Sequence, residues 1–91
     1  NSALNRSYVV EYSIGVANTY EKKEITLTLD TTGTWTFDNT NFGVAIVWTL
    51  MAGTTYQGTA GSWTGSNIIA TTNQVNFNDS TSNTFTITNI K

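Results

Sequence analysis

The sequence predicts an all-β chain, an antiparallel β-sandwich of jelly-roll type, on three observations. Threonine, valine, isoleucine and aromatic residues dominate, while leucine, alanine and lysine never gather into the i, i+3, i+4 stripe of a helix. Apolar and polar residues alternate with a period of two over several short runs. Turn-forming residues separate these runs at sandwich spacing, about six or seven strands in all. No Asn-Gly or Asp-Gly pair occurs, so tight two-residue hairpins are not signalled and longer Greek-key or jelly-roll connections are expected.

The runs follow in order. Residues 7–14 place Tyr8, Val10, Tyr12 and Ile14 on one face and Ser7, Val9, Glu11 and Ser13 on the other, and the first set is expected to face the core. Residues 21–29 repeat the pattern, with Ile25, Leu27 and Leu29 inward and Glu24, Thr26 and Thr28 outward. Residues 30–33 read as a turn, 34–37 as a short strand carrying Trp35 and Phe37, and 38–41 as a second turn. Residues 43–51 are nearly continuously apolar, which predicts a central strand buried on both faces or pressed against a neighbouring subunit. Residues 52–65 form a Gly-, Thr- and Ser-rich loop holding Tyr56 and Trp63. Short strands are expected over 68–70 and 74–77, and residues 84–90 close the chain with Phe85 and Ile87 on one side.

A chain of 91 residues has room for one domain, residues 1–91, and buries roughly 60 to 65% of its unfolded surface. With no cysteine and no proline, neither disulfides nor stiffened loops reinforce so thin a core, and association with partner chains is the remaining common reinforcement. The start at Asn1 in place of Met leads to the expectation of a fragment, a processed product or an incompletely traced chain. Arg6, Lys22, Lys23 and Lys91 are the only basic residues, too few to bind nucleic acid or an anionic membrane surface. The longest apolar run, 44–48, is too short to insert in a bilayer.

The absence of histidine and cysteine removes Ser-His-Asp and Cys-His catalysis and the usual zinc sites. Glu11, Glu21, Glu24, Asp30, Asp38 and Asp79 are the carboxylates from which a glycosidase pair would be drawn. Each stands beside turn or charged residues and reads as solvated, so no enzyme activity and no cofactor are expected. Asp30, Asp38 and Asp79 would be the calcium ligands, but no D-x-D-x-D-G loop is present. Lys22 and Lys23 between Glu21 and Glu24 keep a strand face soluble and discourage edge pairing. The Asn5-Arg6-Ser7 and Asn78-Asp79-Ser80 sequons arise by chance in so Asn- and Ser-rich a chain.

Aromatic side chains are the remaining candidates, because a flat ring stacks on the C–H face of a sugar as it does on apolar surface generally. Trp48 and Trp35 lie in strands and are expected in the core. Tyr56 and Trp63 lie in a polar loop with no evident core to enter, leaving two uses open to them: contact with a ligand, or packing on a neighbouring subunit.

Three stretches, NRSYVVEYSIGVANTYEKKEITLTLDTTGTW, GTTYQGTAGSWTGSNIIATTNQVNF and TFTITNI, resemble a module near the C-terminal ends of bacteriophage tail fibre and related virion proteins. That module is similar in type to jelly-roll carbohydrate-binding modules. The resemblance spans most of the chain and rests on strand and turn character, so it transfers no binding residue position by position. Family members usually carry a further upstream strand with a Trp-Val-Lys-like core and a further C-terminal segment, so by this resemblance the chain is part of a longer polypeptide. The resemblance implies a distal fibre module on the virion surface, a homotrimer, serving assembly and attachment to a bacterial surface glycan. The alternative is a purely structural capsid, tube or fibre subunit with no glycan ligand.

Overall fold

Period-two alternation makes a run of chain suitable for a sheet, but a sheet also needs a neighbour for every backbone N–H and C=O. The computed structural model, which describes residues 1–91, supplies few such neighbours. Strand β1 (Ser7–Tyr8) pairs antiparallel with strand β2 (Trp63–Thr64), Ser7 opposite Thr64 and Tyr8 opposite Trp63. A parallel bridge joins Gln57 and Ala70. Two single-turn 3₁₀ helices, Thr54–Tyr56 and Phe77–Asp79, complete the regular structure.

This corrects the expected fold. A jelly-roll sandwich is not formed: the one sheet has two strands, and the chain is mostly irregular. The chain makes 12 backbone–backbone hydrogen bonds, where a folded domain of this length makes about 60. None involves residues 10–51, and none lies beyond Asn83. The expected strand 7–14 pairs only through its first two residues, and 21–29, 43–51 and 84–90 pair with nothing. Their apolar sets accordingly face water: Ile14, Ile25, Leu29, Val44, Ile46 and Val47 are all exposed. The run expected to be the buried centre is thus a surface segment, and Trp48, expected in the core, keeps 37% of its surface exposed. The expected strand 74–77 instead leads into the second 3₁₀ turn, where the Asn76 side chain accepts the Asn78 N–H.

What is organised is a small nucleus. Val9, Ala70 and Thr71 are its buried residues. The Gly61 N–H donates to the Val9 carbonyl at 2.9 Å, Gly58 donates to Ala70 at 2.9 Å, and Ile69 and Ala70 both donate to the Tyr56 carbonyl. These bonds close the loop 52–65 over the segment 68–71. Gly58 lets the two approach closely, since a Cβ there would stand 2.9 Å from Ile68 Cγ2. Amide side chains extend the closure: Gln74 Nε2 and Gln57 Nε2 both donate to the Ala52 carbonyl, while Gln74 Oε1 accepts the Ala52 N–H. The predicted turns are present. Asp30 Oδ1 accepts the Thr32 N–H, and Asp38 Oδ1 accepts those of Thr40 and Asn41, the local closure that makes Asp a turn residue.

Candidate functional site

The loop aromatic Trp63 gains its surroundings from three segments distant in sequence. On β2 it stands opposite Tyr8, and the two rings meet edge-on with centroids 5.4 Å apart. Trp35, just past the 30–33 turn, meets it at 5.6 Å and nearly perpendicular. The Trp63 indole N–H donates to the Thr28 carbonyl at 2.8 Å, and that of Trp35 to the Thr32 carbonyl at 2.9 Å. Edge-to-face geometry aligns ring edges with the electron-rich faces, worth about 0.5–1.5 kcal/mol per pair beyond area burial. Trp63 and Trp35 are both half-buried here.

Beside this cluster lies a polar clasp. Arg6 Nε contacts Asp30 Oδ2 at 2.5 Å, with both side chains largely covered. Asn1 binds across the same junction: its Nδ2 donates to the Thr34 carbonyl and to Asn5 Oδ1, and its Oδ1 accepts the N–H groups of Asn5 and Arg6. Gly33 closes the turn at φ +82°, and a Cβ placed on it would come within 2.9 Å of Arg6 Cγ. Left-handed backbone costs an L-residue about 1–2 kcal/mol, and the clash would also push Arg6 off Asp30. Gly33→Ala is therefore expected to lower the urea midpoint, while Gly53→Ala, with no atom within 4 Å of the added carbon, serves as the mild comparison.

Tyr56, the other candidate, stands apart from these ring pairs. Its carbonyl is tied to Ile69 and Ala70, but 44% of its surface is exposed. The structure thus gives the two loop aromatics different settings, Trp63 held between Tyr8 and Trp35 and Tyr56 on a braced turn facing solvent.

The carboxylates serve as hydrogen-bond acceptors. The Arg6 guanidinium holds Asp30 below the usual carboxylate range. The N–H groups of Thr40 and Asn41 lower Asp38 to about 2. Glu21 is lowered by the Val16 N–H, then by Lys23 and the Gly15 N–H. Every one of these shifts favours the anion, opposite to what a general acid of a glycosidase requires. Glu11 accepts from Thr71 Oγ1 and from Asn73 Nδ2, tying the first segment to the buried nucleus. Asp30, Asp38 and Asp79 sit in separate turns, and no three acidic side chains gather as metal ligands.

A concavity of 610 Å³ is lined by residues 8–13 and 22–26 together with Ala60 and Gly61. Its charged residues are Glu11, Lys22, Lys23 and Glu24. Lys22 pairs with Glu24 at 2.7 Å and Lys23 with Glu21 at 3.2 Å.

Sequence reasoning missed the clasp, reading Asn5-Arg6-Ser7 only as a chance sequon. Its one legible signal was the run Asn1, Asn5 and Arg6, rich in side-chain donors and acceptors ahead of a strand. Compared with known proteins, the chain matches no protein-family model, no curated protein and no solved structure.

Proposed function

We propose that the chain is a non-enzymatic structural module of a surface appendage of phage tail-fibre type, acting on the virion, which completes its packing against copies of itself. The observation that carries this is surface area. The chain exposes 7272 Å², about 2,100 Å² more than the roughly 5,200 Å² of a folded monomer of 9.9 kDa. Its radius of gyration, 14.7 Å, likewise exceeds the roughly 12 Å of a compact chain of this length. Obligate interfaces bury about 2,000–5,000 Å² in total, so the excess is of the size that subunit contacts cover. Much of it is apolar and contiguous in sequence, as at Val44, Ile46, Val47, Leu50 and Met51, and an exposed apolar patch of this kind marks an interaction surface. The resemblance to distal tail-fibre modules supplies the context and the trimeric stoichiometry.

Glycan attachment is the second part of the reading, and the exposed ring of Tyr56 on its braced turn supports it more directly than Trp63 does. Light scattering on the purified chain tests the assembly. Three times 9.9 kDa is the expected mass, and a stable monomer at micromolar concentration would overturn the proposal. Glycan binding by that oligomer, abolished in Tyr56→Ala with the mass unchanged, is the result expected for attachment. An oligomer that binds no glycan leaves the purely structural role.

A further inference from the structure

We propose that the segment around Lys22 is a processing site for an endoprotease of trypsin type, which cuts between Lys22 and Lys23 and leaves the two pieces held together. The inference is independent of the assembly reading. Water is the co-reactant: the C–N bond between Lys22 and Lys23 breaks, the hydroxyl goes to the Lys22 carbonyl carbon and the hydrogen to the Lys23 nitrogen.

A protease takes its substrate as an extended segment that hydrogen-bonds to the cleft through its backbone, so backbone already engaged in the fold is closed to it. Residues 20–27 make no hydrogen bond through their backbone. All of them but Glu21 are exposed. The basic side chain must also be free to enter the acidic specificity pocket. The Lys22 side chain keeps 82% of its surface exposed and is tied only to Glu24, a surface pair that holds weakly. Lys23 is less free, 35% exposed and bound to Glu21, which also accepts the Gly15 and Val16 N–H groups. Obligate interfaces exclude Lys and Glu from their cores, so Lys22 and Glu24 stay in solvent in an oligomer as well.

The other bonds that follow a basic residue within residues 1–91 are Lys23–Glu24 and Arg6–Ser7. Arg6 is shut on every side. Its side chain is 16% exposed against Asp30, its N–H donates to Asn1 Oδ1, its carbonyl accepts from the Asn1 amino group, and Ser7 begins β1. A trypsin-type pocket takes arginine as well as lysine, so the fold decides which bond is cut first.

The cut does not release residues 1–22. β1 remains paired with β2, and the Tyr8 ring remains against Trp63. Ser7 Oγ donates to the Ser66 carbonyl at 2.6 Å and accepts the Ile68 N–H at 3.0 Å. The Val9 carbonyl accepts from Gly61, Arg6 holds Asp30, and Glu11 holds Thr71 and Asn73. These contacts join the first piece to the second without using the connection that is cut.

Trypsin in catalytic amount on the native chain is the test, with products read by intact mass after denaturation and by size exclusion before it. Cleavage at Lys22–Lys23 is expected first, with Arg6–Ser7 about a hundredfold slower, because cleavage of a closed bond follows the population of its open form. The two pieces are expected to elute together at the position of the uncut chain. Lys22→Gln should retain the wild-type circular dichroism spectrum, slow the first cut several-fold and move it to Lys23–Glu24. First cleavage at Arg6–Ser7, equal rates at Arg6 and Lys22, or resistance of the Lys22–Lys23 bond overturns the site. Pieces that elute separately overturn their retention. A monomer cut as expected overturns the assembly reading and leaves this inference intact, and an oligomer that resists does the reverse.

Discussion

Trp63→Ala is expected to lower the stability of the chain by about 3 kcal/mol, the low end of the range for removing a packed tryptophan, since the ring is half-buried. The loss has three parts acting at one position. The ring area leaves the cluster, the edge contacts to Tyr8 and Trp35 vanish together, and the Thr28 carbonyl loses its indole donor. Each contact joins segments far apart in sequence, so the variant separates β2 from both the N-terminal segment and the 28–35 turn. Trp63→Phe retains an aromatic edge but no N–H, and its loss should fall between wild type and alanine. Urea denaturation followed by far-UV circular dichroism measures the difference. If Trp63→Ala leaves the midpoint unchanged, the ring is no structural tie, and its use as a ligand contact returns.

Acid is expected to weaken the structure, because three carboxylates are held as anions in the folded chain. Asp30, Asp38 and Glu21 are all lowered in the folded chain, so the unfolded chain binds more protons as pH falls. Stability then rises with pH across this interval. The contribution is complete above the unfolded value, about pH 4, and is lost as pH falls through the folded values, down to about 2 for Asp38. Asp30 matters beyond its own turn because its partner Arg6 lies across the clasp, next to the strand that carries Tyr8. Urea midpoints measured from pH 6 to pH 2 should drop below pH 4 for the wild type. Asp30→Asn should start lower at pH 6 and lose less on acidification. A wild-type midpoint that stays flat down to pH 2 would contradict the assigned pairs.

The local features of the chain were legible in its residues. Asp30 and Asp38 close turns with their own side chains, a contact between neighbours that needs nothing from the rest of the fold. The polar loop 52–65 was likewise readable from its glycines, serines and threonines, and the structure adds the short 3₁₀ turn, β2 and the bonds that close it over Val9 and 68–71. The candidate aromatics were legible as residues and not as a site. Trp63 lay in a loop by composition, but its neighbours Tyr8 and Trp35 lie 55 and 28 positions away. The clasp of Asn1 and Arg6 with the 30–34 turn was hidden for the same reason, because Asn and Arg are ordinary surface residues until a distant partner covers them.

The sequence by itself determined where the chain turns, which runs alternate, that the surface is nearly neutral, and that histidine and cysteine chemistry is absent. Only the tertiary structure decided which runs pair. Alternation over 7–14, 21–29 and 84–90 is a property of each run alone, whereas a ladder is a property of two runs and their register, joined at the cost of closing the loop between them. In this chain that cost is met at Ser7–Tyr8 with Trp63–Thr64, where ring packing and the indole hydrogen bond to Thr28 add to the backbone pair. The remaining edges have no such reinforcement within one chain, and their backbone groups and apolar faces remain turned to solvent.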